Sequence, residues 1–240
     1  MLGDANFPKS ALEYYRDGRQ LLIQDLYERY SGLAFTKYAD RAVAILGLQE
    51  RLARAFRTQA AYGFFAVYFA RGLLWKRSDY RRMKRIVQPI GRHVPSWSWF
   101  SKEGAIKYLE LKFKEIDWAT EDFRSPFSRQ LAPELEKSSA LKSTGDVATL
   151  RGLARRITIS KLDMLTYITL DEEREFEADD LRCVVIGRDK VESDLENPKY
   201  HVLIIHQIRR TLETDMYERV GVASLKPIHV GDKWLLVRIV

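Results

Sequence analysis

Pro95-Ser96-Trp97-Ser98-Trp99 is the stretch at which the apolar period of this chain changes, and its reading decides the fold. On a strand this spacing sends Trp97 and Trp99 to one face and Ser96 and Ser98 to the other. Pro95 cannot donate a ladder hydrogen bond, so it suits the first residue of such a strand. Downstream, Ala105–Phe113, Leu150–Ile159, Leu165–Leu170, Leu181–Ile186, Tyr200–Ile208, Tyr217–Leu225 and Trp234–Val240 carry β-branched and aromatic residues and read as further strands. Thr120–Asp146 interrupts them as a polar excursion with Pro126 and Pro133, in which Pro133–Leu141 adds a helical turn. Gly104 suits a turn of positive φ, and Gly221 a bulge or a close packing contact.

Upstream of Pro95 the period is helical. Leu22, Leu26, Tyr27 and Tyr30 share a stripe, so Ala11–Tyr30 reads as one helix with a weak point at Gly18. Asp40 is placed to cap a helix Arg41–Arg57 that turns Val43, Leu46, Leu48, Leu52 and Phe56 to a core. Ala60–Ala70, the most apolar segment, reads as a third helix, too short for a bilayer and therefore buried. The fold class is thus α+β. A helical part at 1–94 packs on an antiparallel β-rich part at 95–240, and the two are expected to share one core around Ala60–Ala70 and the Trp97/Trp99 strand.

Two hundred and forty residues with 46% hydrophobic and 30% charged side chains build a folded core, not a disordered chain. The single cysteine, Cys183, leaves no intramolecular disulfide and no cysteine cage for zinc, and reads as a small buried hydrophobe. Met1-Leu2-Gly3-Asp4 lacks the basic and apolar regions of a secretory leader, so the expected location is cytoplasmic, with no membrane attachment. The net charge of +7 is uneven: residues 1–95 hold 17 Lys/Arg against 8 Asp/Glu, the remainder 23 against 25. Segment 76–92 is the basic extreme. Asp171–Asp180, with seven acids and one arginine, is the acidic one.

Motifs for chemistry are absent. No phosphate loop, dinucleotide fingerprint, nucleophile elbow or zinc-binding H-E-x-x-H occurs. His201 and His206, five apart on a strand, point to opposite faces and cannot share a metal. A hydrolase built on His93 with Ser96 or Ser98 is the one catalytic arrangement that spacing leaves open. Asp171–Asp180 has no glycine turn to converge its oxygens, so it is expected to be a surface loop between strands, solvated or lying toward the basic segment, and not a metal site. Arg81, Arg82, Lys84 and Arg85 are candidates to track a polyanion, although no nucleic-acid-binding motif accompanies them.

The order of motifs resembles a known family. Tyr30-Ser31, Phe35-Thr36 and Asp40-Arg41, followed by Ala44 and Gly47, resemble a segment of fungal heterokaryon incompatibility (HET) domain proteins. Tyr68-Phe69-Ala70-Arg71-Gly72-Leu73-Leu74-Trp75 is similar to the family's next block, and Pro95-Ser96-Trp97-Ser98-Trp99 with Gly104 to its most specific one. Leu150-Arg151-Gly152 resembles a strand of the family. Tyr200–Ile205 with Tyr217-Glu218-Arg219-Val220-Gly221 is similar to its terminal pair. Ala42-Val43 and Val94 depart from the pattern. The motifs of the namesake HET domain, which lies upstream in the family, do not occur, so no catalytic residue is carried over.

The resemblance implies a non-enzymatic regulatory or scaffolding module with a role in non-self recognition and incompatibility cell-death signalling. It implies protein partners, a HET domain on another chain among them; neither cofactor nor metal is expected, because no motif for either occurs. It leaves open whether the chain is a stand-alone product or a fragment of a longer one. The alternative is a nucleic-acid-binding module using segment 76–92, and nucleic acid is not the expected partner. The matched blocks themselves (Tyr30, Ser31, Asp40, Arg41, Trp75, Pro95 to Trp99, Gly104, Gly152, Arg219 and Gly221) are expected to serve structure.

Overall fold

Gly18 opens the first helix, α1 (Arg19–Ser31), which turns Leu22, Ile23, Leu26 and Tyr27 inward. The computed structural model describes residues 18–78, 83–89, 93–111, 114–127, 149–160, 164, 166–190, 198–209 and 215–240. The part of the expected Ala11–Tyr30 helix that precedes Gly18 lies outside them, as does the expected turn Pro133–Leu141.

The second helix is split. A 3-10 turn at Tyr38–Asp40 runs into α2 (Arg41–Ala44), Ile45 interrupts, and α3 (Leu46–Phe56) follows, ending at Arg57 in the left-handed region with φ of 52°. Asp40 itself has helical dihedrals, so its carboxylate makes no cap, contrary to expectation. Ile45 turns into the core at the break, and Gly47 just beyond it has low helix propensity. The break also leaves Val43 and Leu46 exposed, whereas Leu52 is buried and Leu48 and Phe56 pack against the core.

Ala60–Ala70 is not a helix. Ala60–Ala61 (β1) and Phe64–Phe65 (β2) form a hairpin, a 3-10 turn covers Ala66–Tyr68, and only Phe69–Leu73 (α4) is helical. The two turn residues, Tyr62 and Gly63, both have positive φ, 54° and 80°, which is the dihedral pattern that a two-residue hairpin loop demands. Gly63 meets that demand freely. A Cβ there would also lie 2.7 Å from the Trp99 indole nitrogen.

Trp75–Arg77 (β3), Lys84–Arg85 (β4), Lys102–Glu103 (β5) and Ile106–Tyr108 (β6) form two short ladders, β3 with β6 and β4 with β5. Between them the expected Trp97/Trp99 strand is replaced by a turn through Ser96–Ser98 and a 3-10 helix at Trp99–Ser101. The serine hydroxyls explain this, because Ser98 Oγ accepts from Phe100 N at 3.1 Å and so caps the turn. Both indoles are fully buried nonetheless, and so is Ser98 between them.

The remaining strands, Ile116–Trp118 (β7), Phe123–Arg124 (β8), Leu150–Ile157 (β9), Ile168–Leu170 (β10), Leu181–Asp189 (β11), Tyr200–Arg209 (β12), Met216–Leu225 (β13) and Val230–Ile239 (β14), make one sheet. Its order is β7-β11-β12-β13-β14-β9-β8, with β10 paired to β13. Strand β9 also pairs with β11, so β11, β12, β13, β14 and β9 close into a ring. The pairs are antiparallel except β13 with β14, which run parallel where Met216 meets Arg238 and Tyr217 meets Ile239. The fold is α+β, and among the described residues no helix is long and apolar enough to cross a membrane.

Two apolar clusters lie on the two faces of this sheet. One joins Leu22, Tyr27, Leu52, Phe69, Trp75, Trp97 and Trp99 to Val184, Leu203, Ile205, Val222 and Val237. The other holds Leu181, Cys183, Val185, Val202, Ile204, Val220 and Leu225. A bulge sets the alternation. Ile204 faces Gly221 and Ile205 faces Arg219, so Val220 is an extra residue and Arg219 points with Tyr217 and Val222 toward the helical side. Gly221 lies beneath β10, where a Cβ would fall inside the radius of the Thr169 carbonyl oxygen and 3.1 Å from Leu170 Cα. Gly221→Ala is therefore expected to cost about 1–3 kcal/mol in a thermal or urea melt. An unchanged midpoint would mean that β10 moves aside freely.

Candidate functional site

Several residues of the sequence blocks that carry the family resemblance converge on two buried arginines, Arg219 and Arg41. Arg219, fully buried on β13, donates from Nε to Asp171 Oδ2 at 3.0 Å and from Nη2 to Asp171 Oδ1 at 3.2 Å. It also donates from Nη1 to the Leu73 carbonyl at 2.8 Å and from Nη2 to the Trp75 carbonyl. Its Cζ lies 3.3 Å from the centre of the Trp75 ring, and the Trp75 indole donates to the Trp97 carbonyl at 3.0 Å. Burial lowers the Arg219 pKa, opposed by Asp171. This one guanidinium ties the sheet, the end of α4, β3 and the start of the acidic run together.

Arg41, at the start of α2, is buried as deeply. Its Nη1 donates to the Lys102 carbonyl at 2.6 Å and its Nη2 to the Gly104 carbonyl at 3.0 Å, with Cζ 4.7 Å from the centre of the Trp99 ring. Burial brings its pKa down to about 10. Tyr30 OH donates to the Arg41 carbonyl at 2.7 Å, and Ser31 Oγ accepts from Ile106 N at 2.9 Å, which fastens α1 to α2 and β6. Gly104 has φ of 123°, as its sequence position suggested. Gly152 lets Val184 approach, since a Cβ there would lie 2.9 Å from Val184 Cγ1. Pro95 is buried beside Ser96 at the turn, while Asp40 is exposed.

Ser96 and Ser98 are not poised as nucleophiles. Ser96 Oγ donates to the Val240 carbonyl and accepts from Arg219 N at 2.9 Å; Ser98 Oγ donates to the Tyr62 carbonyl at 2.7 Å. His93 is exposed. The histidine that does sit between a serine and an acid is His201. Its Nδ1 is 2.9 Å from Ser224 Oγ and its Nε2 is 2.9 Å from Asp189 Oδ1. That chain crosses β13, β12 and β11, with His201 4% exposed and its pKa lowered by burial. Cross-strand register, not a nucleophile turn, brings these three together, since His201 directly faces Ser224. His206 points to the other face, beside Phe176 and 3.8 Å from Glu218. Burial pushes the Cys183 thiol up to about 12.

The two charge extremes meet in part. Glu218, buried on β13, accepts from Arg85 and from Arg174, the latter at 2.5 Å. Glu172 pairs with Lys102 and lies 3.7 Å from Arg85. Burial draws the Lys102 ammonium down to about 8, opposed by Asp171 and Glu218. Contrary to expectation, the acidic run is therefore not a surface loop along its whole length: its start lies against the basic segment and the rest is solvated. Asp171 is fully buried against Arg219, while Glu173, Glu175, Glu177, Asp179 and Asp180 are exposed. The reason is local pairing: Met83 N bonds the Asp171 carbonyl, and Met83 bridges Glu172, so the connector pins the start of the run. Among the described residues no cluster of His, Cys, Asp or Glu could hold a metal. Of the residues considered for polyanions, Arg81 and Arg82 lie outside the described residues and Lys84 is exposed.

One surface feature went unread in the sequence. On β14, Asp232, Lys233, Trp234, Leu235 and Leu236 are exposed in succession, with Trp234 57% and Leu236 55% accessible. Among the described residues β14 pairs along one edge with β9, whereas its other edge meets β13 only at its far end. The signal was present, as four consecutive apolar residues, Trp234 to Val237, in a strand with no alternation. No family model, curated protein or solved structure matches this chain.

Proposed function

We propose that this chain is a scaffolding module of the HET type that binds another protein through the open edge of β14. The supporting observation is the run Trp234-Leu235-Leu236, exposed on a strand whose second edge is unpaired over that stretch among the described residues. Exposed backbone groups and apolar side chains together are the requirement for adding a partner's strand to a sheet. The matched residues support the same reading from the other side. Arg41, Trp75, Ser96, Ser98 and Arg219 direct donors to backbone carbonyls and to Asp171, which makes them framework. In this reading the partner is the HET domain of another chain, and the role lies in non-self recognition.

The test is a calorimetric titration of the purified chain with a purified HET domain. Saturable one-to-one binding is expected, weakened about tenfold or more by Trp234→Asp, because a charge then has to be buried in the contact. Trp234 is exposed, so the variant keeps its fold. A flat titration, or binding indifferent to Trp234→Asp, overturns the reading.

A further inference from the structure

A second surface has the chemistry of a small-molecule site. Between α4 with its preceding 3-10 turn and the segment 114–125 lies a cavity of about 480 Å3, a size at which proteins hold compact ligands. Its apolar wall is Phe69, Ile116, Trp118 and Phe123. Val67 is 56% exposed at its mouth, while Phe69 and Phe123 are buried at its base.

Two cations line the same cavity, Arg71 and Lys114, and among the described lining residues there is no acid. Arg71 is part-buried, and its hydrogen-bond acceptors are neutral: Gln24 Oε1 at 3.3 Å and the Leu111 carbonyl at 3.2 Å. Burial lowers its pKa, so its charge sits in surroundings that favour an incoming anion. Among the described residues Lys114 is one of three non-glycine residues with positive φ, at 65°. Strained backbone of this kind collects at ligand sites.

We propose that this cavity binds an amphipathic organic anion, a carboxylate or sulfonate carried on an aromatic or alkyl body. The body fills the wall of Phe69, Ile116 and Trp118, and the acid group lies toward Arg71 and Lys114. The reading is independent of the β14 edge, which is built from other elements.

The full chain is titrated with anilinonaphthalene sulfonate, whose fluorescence rises in apolar surroundings, and in parallel with its uncharged relative N-phenylnaphthylamine. Saturable one-to-one binding of the sulfonate is expected, competed by laurate and not by dodecanol. Val67→Glu places a carboxylate at an exposed position of the mouth, and Lys114→Gly removes one cation while relaxing the backbone. Each is expected to weaken the sulfonate about tenfold and to leave the neutral dye within about twofold. Thermal melts of both variants confirm that the fold is kept. Absence of saturable binding to the parent overturns the proposal. So does equal binding of the two dyes that neither variant changes.

Discussion

Arg219→Met is expected to remove about 3–5 kcal/mol of stability, a large share of the 5–15 kcal/mol that holds a typical domain together. The arginine and Asp171 are both fully buried and bonded through two oxygens. Removing the cation leaves a carboxylate with no water to turn to, and it also strips hydrogen bonds from the Leu73 and Trp75 carbonyls. The double variant Arg219→Met with Asp171→Leu should recover part of the loss, because replacing both charges removes the orphan. Urea unfolding followed by tryptophan fluorescence reads all three proteins. A loss under about 1 kcal/mol in the single variant would show that Asp171 is not held by Arg219.

Trp97→Ala is expected to cost a comparable 3–5 kcal/mol. The ring is fully buried and meets three aromatic neighbours edge-on: Tyr62 at 5.9 Å, Phe64 at 5.1 Å and Phe69 at 5.7 Å. These belong to the hairpin loop, to β2 and to α4, so an alanine opens a hole where three elements meet. Trp97→Phe keeps part of the contact and should cost less. A Trp97→Ala protein as stable as the parent would show that the aromatic cluster closes over the gap.

The β-rich part was legible where each strand has its own apolar run. Leu150–Ile159, Leu181–Ile186, Tyr200–Ile208 and Tyr217–Leu225 fall on β9, β11, β12 and β13; in β11 and β12 the continuous apolar runs 183–186 and 202–205 reflect burial on both faces, whereas β9 alternates. Misreadings arose where local hydrogen bonding or a turn overrode period. Tyr62-Gly63 supplied two positive φ values inside a helical-looking run, and the Ser-Trp-Ser spacing that mimics a strand instead lets serine hydroxyls cap a turn. Asp40 was a plausible cap by type, but it already has helical dihedrals.

The matched arginines were visible as motif members, yet their acceptors were not. Arg41 reaches carbonyls 61 and 63 residues away, and Arg219 those 144 and 146 residues away. No window along a sequence contains such pairs. The cavity beside α4 shares that property, since its lining comes largely from segments 66–71 and 114–125, which only the fold brings together.

The bond from Ser96 to the Val240 carbonyl spans 144 residues, and the same serine accepts from the backbone of Arg219. Those spans bear on time as well as on strength. A nascent chain can form α1, α3 and the β1–β2 hairpin early, since their contacts are local. The turn that seats Trp97 and Trp99 waits for the last strand. Folding is therefore expected to be slow for the size of the protein, because the entropy of closing such loops is lost before the contacts reward it. During that interval the aromatic cluster stands open, and a nascent chain that has not yet added β14 would present chaperones with an exposed, tryptophan-rich intermediate.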